Sequence, residues 1–469
     1  MTGTHDSDGS QGTGADLTAA RRRAVSGFTL YDVANSAFVT TVITAVGGPF
    51  VTSVADAAQG ADGRVALLGL SPRADAVYAY AISASVVLQV LVLPVLGALA
   101  DRGRAKRAVL LVSTVVGAAM TLLLALVPDG AVLGAVAALV AANVAFGVAI
   151  TVYNAFLADV AELEDRDRIS ARGYAWGYAG GAFVLAVALG LVSAAGSLGI
   201  STGVAARISI ALSGLWWLAV GLVAVHRLDA VRLLPAAQRA PGPPASVGGA
   251  LRQLRGSLSL LRELPLTARF LAAFLLFNDA VQAVIALASV VLVQELYVAR
   301  GRDADDATPF LLTLVLLIQV VAVAGAAGSA RLARRYGAQP VLLGTLVVWV
   351  GVVLYAVLAL DTTVQAYGLG VVIALVLGGS QALARSLFSG MVPAGRQASF
   401  FGFYGLAERG TAWIGTLVFA VVLDVTGSYR GALLSLLVLF VSGGLLLAAT
   451  DTRAATRAAQ LHGAPPAAQ

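Results

Sequence analysis

The chain has 469 residues, 59% of them hydrophobic and 12% charged, with a formal net charge of +6. Soluble domains carry about 25% charged residues, so an ordinary soluble protein is excluded. With no cysteine and only three histidines (His5, His226 and His462), disulfides, iron–sulfur clusters, thiolate zinc sites and a histidine-based triad within the apolar part are excluded as well.

In chain order, residues 1–24 open on a Gly/Ser/Thr/Asp stretch with no apolar h-region. That composition predicts a disordered tail rather than a signal peptide. Twelve apolar segments follow, near 26–50, 76–100, 107–127, 131–157, 173–195, 203–226, 267–294, 308–332, 338–360, 364–390, 398–424 and 430–450. Each approaches the roughly 20 residues that cross about 30 Å of hydrocarbon as a helix. The fold class is therefore an all-α membrane protein. The segments divide into an N-terminal six-helix bundle (25–226) and a C-terminal one (267–450), with a linker at 227–266 and a tail at 451–469. The linker opens Pro-rich (LPAAQRAPGPPAS) and continues as LRQLRGSLSLLREL, whose spacing predicts an interfacial helix.

The basic residues set the expected orientation. Of 31, only Lys106 is lysine; 23 fall on the side of the termini and the linker, six fall opposite, and Arg385 and Arg409 lie inside helices. By the positive-inside rule both termini face the cytoplasm of a multi-pass cell-membrane protein. The net charge is topological; without aromatic interleaving it does not indicate nucleic-acid binding. No phosphate-cradling G-x-x-x-x-G-K-[ST] loop is possible, because the sole lysine sits in A-K-R. A membrane-embedded enzyme has only the near-miss G-x-S-x-A at Gly378–Ala382, mid-helix and far from any histidine.

Polar residues inside the apolar segments repeat between the halves. Asp32-x-x-Asn35 in the first helix has a counterpart in Asp279-x-x-Gln282, next to Asn278, in the seventh. Three residues apart, each pair shares a helix face. The loop GALADRGRAKR after the second helix is matched by SARLARRYGAQ after the eighth, where Arg334 stands at the acidic position. Parallel six-helix repeats of this kind build major facilitator transporters. GALADRGRAKR resembles that superfamily's G-x-x-x-D-[RK]-x-G-[RK] signature, with Gly103 one residue early. LYDVANSAF (30–38), YNAFLADV (153–160), GYAWGYAGG (173–181), FNDAVQ (277–282), GGSQALARSLF (378–388) and FFGFYG (400–405) together resemble the vacuole-effluxer family. These are autophagy-related amino-acid exporters of fungi with bacterial relatives. The resemblance implies a twelve-helix permease with helices 1, 4, 7 and 10 around a cavity.

Depth selects the residues. Counted from the flanking arginines at 1.5 Å per residue, Asp32, Asp279, Arg385 and Glu408 sit about 13–18 Å into the bilayer. Intramembrane ionisable groups pair or face a cavity. Substrate binding or coupling is expected at Asp32, Asn35, Asn154, Asn278, Asp279, Gln282, Gln381, Arg385 and Arg409. Asp101, Arg102, Arg104 and Asp159 are expected to form a cytoplasmic gate. The expected function is alternating-access transport of a small polar metabolite, an amino acid or similar zwitterion, with protons as candidate coupling ion. No cofactor or metal is expected; the partners are the small-molecule substrate and the lipid bilayer. The alternatives are an amphiphile efflux pump of the same fold and a non-transporting receptor.

Overall fold

The computed structural model describes residues 14–60, 64–67, 69, 71–72, 74, 77–101, 105–234, 247–301, 308–409, 413–426 and 428–463. The first crossing is one helical run: α1 (Gly14–Ala37), a π-helical stretch (Phe38–Val46) and α2 (Gly47–Asp56). It begins at Gly14, well before the expected start at 26, so part of the supposed N-terminal tail extends a helix. The Gly47 N–H reaches the Val42 carbonyl at the end of the π stretch. A Cβ at Gly47 would run into that same carbonyl, so the wide turn requires glycine.

The first half continues with α3 (Val77–Ala100), α4 (Ala105–Leu126), α5 (Val132–Ala155), the short α6 (Leu157–Val160), α7 (Arg166–Ser193) and α8 (Thr202–Leu228). The linker contributes α9 (Val247–Glu263), a helix where one was expected from LRQLRGSLSLLREL. Its Pro-rich portion, 235–246, lies outside the described residues. The second half holds α10 (Pro265–Leu296), α11 (Thr308–Tyr336), α12 (Ala338–Leu358) and α13 (Thr363–Gly390). Then come α14 (Gln397–Arg409) and α15 (Trp413–Thr426), on either side of residues outside the described set, and a last crossing in two pieces, α16 (Tyr429–Ser435) with α17 (Leu437–Ala448). Eleven described helical runs are long and apolar enough to span a bilayer; the α14–α15 crossing completes the set.

Local chemistry places the helix ends. The Thr362 side chain accepts from Gln365 N–H while the Gln365 side chain takes the Thr362 N–H, a capping box opening α13. Ser201 and Ser428 cap α8 and α16 more simply, accepting from the N–H groups of Val204 and Gly431. The expected C-terminal tail contains a further helix, α18 (Thr452–Gly463), which buries Ala455 and Ala459. It is held by Thr452 Oγ1 on Gln339 and lies against Gly390 through Thr456.

Candidate functional site

Arg385, on α13, projects out of its own half and into the other. Its Nε donates to Ser170 Oγ (2.9 Å), Nη1 to Asn154 Oδ1 (3.2 Å), and Nη2 to both the Ser170 carbonyl (2.8 Å) and Asp32 Oδ2 (3.3 Å). Four of the five guanidinium N–H groups are thereby used. The charge centre also lies 4.2 Å from the Tyr174 ring, 5.3 Å from Phe28 and 5.6 Å from Tyr153, within cation–π range. Arg385 is 1% exposed and Asp32 5%. A lone charge so buried would be untenable; this one is matched by a carboxylate and wrapped in π faces.

Asp32 is fixed from three sides. Tyr153 Oη donates to its Oδ2 at 2.6 Å, and Tyr153 stacks on Phe28 and Tyr31. Phe28 and Asp32 are one turn apart on α1, so ring and carboxylate meet the guanidinium from the same face. Opposite them runs α7, whose GYAWGYAGG stretch supplies Gly173, Gly177, Gly180 and Gly181. A Cβ at Gly173 would collide with the Asp32 carboxylate, and one at Gly177 would press on Ser36 at 2.9 Å. The glycines let the two backbones approach closely enough for Asp32 to reach Arg385.

The same region joins the halves through hydrogen bonds that are not ion pairs. Ser170 Oγ donates to the Ala382 carbonyl (2.9 Å), Arg166 Nη1 to the Ser389 carbonyl (2.6 Å), and Tyr178 Oη to Gln381 Oε1 (3.1 Å). Nearer the termini, Asp101 accepts from the backbone N–H groups of Ala398 (2.6 Å) and Ser399 (2.7 Å), capping α14 across the interface. Burial pushes the Asp101 carboxyl up to about 6, against the pull of Lys106 and of these N–H bonds. All these contacts fall on the terminus-proximal parts of their helices. The bundle is sealed on the face that carries both chain ends.

Asp279 occupies the equivalent place in the second half but not the equivalent role. Its Oδ2 accepts from Gly415 N at 2.6 Å, near the start of α15, while Asn278 Nδ2 donates to the Glu408 carbonyl at 3.0 Å, near the end of α14. Neighbouring residues on α10 thus bind the end of α14 and the start of α15. Asp279 is 1% exposed, and its Oδ1 meets no hydrogen-bond partner.

The geometry sorts the expected residues. Asp32, Asn154 and Arg385 converge in one cluster, with Gln381 beside it on the Tyr178 hydroxyl. Asn35 is buried near Asp32, one turn along α1. Asn278 and Asp279 face α14 and α15, away from Arg385, and Gln282 is half-buried further along α10. Of the expected gate, Asp101 reaches across the halves. Asp159 instead pairs with Lys106 (2.8 Å) inside the first half. Arg102, Arg104 and the Arg409 side chain lie outside the described residues. Phe28, Tyr153, Ser170 and Tyr174 were not singled out from the sequence. Two of them stand at the head of YNAFLADV and next to the first glycine of GYAWGYAGG, so the motifs contained the signal.

Two six-crossing halves meeting across buried charges define a major facilitator transporter, not an enzyme. The chain belongs to the family described as vacuole effluxer Atg22 like, which it matches over residues 20–460. It is 28% identical over 434 residues to the uncharacterized MFS-type transporter YxiO of Bacillus subtilis, covering 92% of this chain and 95% of that one. It is 27% identical over 302 residues to autophagy-related protein 22 of Pyricularia oryzae, covering 58% of this chain but 41% of the fungal one. Solved structures with a similar fold include the transporter FucP in the outward conformation, at TM-score 0.66 and 16% identity over 92% of this chain and 99% of that one. A bacterial homologue of the iron transporter ferroportin, in its outward-facing state, follows at TM-score 0.64 and 15% identity, over 91% and 98%.

Proposed function

We propose that the protein is a secondary active transporter of a small zwitterion, an amino acid or close analogue, working by alternating access with protons as coupling ion. One observation carries this reading: the described residues contain a single ion pair between the halves, Arg385 with Asp32, and it is buried. To open the sealed face the halves must separate there, and each charge then needs a new partner. A zwitterion supplies both, its carboxylate for the Arg385 fork and its ammonium for Asp32. Asn154, Gln381 and the Tyr174 ring stand close enough to shape the site. An amphiphile with one weak charge would leave either Arg385 or Asp32 unpaired.

The direct test is counterflow in proteoliposomes, with amino acids, polyamines, sugars and hydrophobic cations offered in parallel. Exchange of a zwitterion class is the expected result. Exchange confined to hydrophobic cations would overturn the reading.

The orientation proposed from the arginine distribution places the sealed face in the cytoplasm of a cell-membrane protein. Leu461, on α18, and Leu198, in the turn after α7, are both exposed and lie on opposite faces. Introduced singly into this cysteine-free chain, Leu198→Cys should react with an impermeant thiol reagent in intact cells, and Leu461→Cys only after lysis. The reverse pattern would refute the orientation.

A further inference from the structure

On the outer flank of the bundle, at the terminus face, α1 and α8 enclose an open groove of about 810 Å³. It is lined by Arg22, Arg23, Ser26, Leu222, Val223, His226 and Arg227. Three arginines share it, and no carboxylate among the described residues lines it. Acids on adjoining segments are occupied: Glu162 and Asp165 by Arg21, and Asp229 by Arg107 and Arg232. Arg227 Nη1 donates to Ser26 Oγ (2.6 Å) and Arg23 Nη2 lies 2.8 Å from His226 Nε2, which gathers the cations around one opening. Arg22 is exposed with no ion-pair partner among the described residues. One turn deeper, Leu222 and Val223 are 40% and 47% exposed, an apolar floor continuous with the lipid-facing side of α8. The groove is therefore cationic at its watery end and apolar at its membrane end.

We infer that this groove is a binding site for an anionic phospholipid, its phosphate held by Arg22, Arg23 and Arg227 and its acyl chain laid on Leu222 and Val223. A phosphate oxygen matches the arginine fork, and a diester phosphate supplies the charge the groove lacks. The apolar floor favours a lipid over free phosphate, which would leave that surface uncovered. The site belongs to the first half, on the helix that carries Phe28 and Asp32, and involves none of the residues around Arg385.

Native mass spectrometry of the full-length protein tests this, with phosphatidylglycerol and phosphatidylcholine of identical chains added to delipidated samples. Wild type should retain phosphatidylglycerol in preference to phosphatidylcholine. Arg22→Gln with Arg23→Gln should weaken that retention about tenfold or more. His226→Glu, which places an anion in the groove at an exposed position, should do the same. Millimolar inorganic phosphate should not displace the lipid. Undiminished phosphatidylglycerol retention in both variants would overturn the assignment, and so would displacement by phosphate alone, which would indicate a plain anion site.

Discussion

Replacing Arg385 with alanine is expected to destabilise the protein by about 3–5 kcal/mol, the cost of stripping one partner from a buried ion pair. The loss exceeds what a surface pair would give, because Asp32 stays buried beside Tyr153 with no cation in reach. Asp32→Ala should be about as damaging, leaving the guanidinium with Ser170 and Asn154 but no counter-charge. The double variant should be less damaged than the sum of the two, since neither charge is then stranded. Thermal unfolding of the purified proteins gives the ranking, and none of the three should transport. Strictly additive losses would mean that the two residues do not act as a pair.

The second large effect is expected at Asp279. This acid is buried, accepts from Gly415 N through one oxygen, and has no counter-ion among the described residues. An acid buried without a counter-ion is the candidate coupling group of the proposed proton-driven cycle. Asparagine can still accept from Gly415 but cannot gain or lose a proton. Asp279→Asn is therefore expected to abolish accumulation driven by a pH gradient while counterflow exchange persists. Proteoliposomes with and without the gradient separate the two activities. Driven accumulation at wild-type level would remove Asp279 from coupling.

Much of the fold was legible because the bilayer makes helix length and apolarity nearly the whole signal. The break in reading came where helices run beyond the hydrocarbon. Residues 14–25 and α18 are polar enough to resemble tails, yet both are helical and bury alanines against the bundle. That Asp32, Asp279 and Arg385 fall within apolar helices was also legible, since the apolar runs can be read along the chain. Their pairing was not. Asp32 and Asp279 have the same spacing and comparable depth in the two repeats, and Arg385 was free to choose either. The choice depends on Gly173 and Gly177, which bring α7 against α1 and turn Asp32 toward the other half. In the second repeat the acid turns instead to Gly415 on α15. The partner of Asp159 was not legible for a similar reason: Lys106 reaches it from α4, and a sequence gives no distance between helix ends.

The measurement closest to the central claim is the binding of matched analogues to wild type and to Arg385→Lys. Once counterflow has identified a transported amino acid, its decarboxylated amine and its deaminated acid isolate the two charges of the zwitterion. Wild type should bind the intact compound and bind either analogue far more weakly. Lysine keeps the positive charge but loses the fork, so the intact compound should bind Arg385→Lys about 1–3 kcal/mol more weakly, the scale of a hydrogen bond to a charged group. The amine, with no carboxylate to lose, should bind both proteins alike. If the intact compound binds wild type and Arg385→Lys equally well, Arg385 is an interhalf strut and does not recognise the substrate.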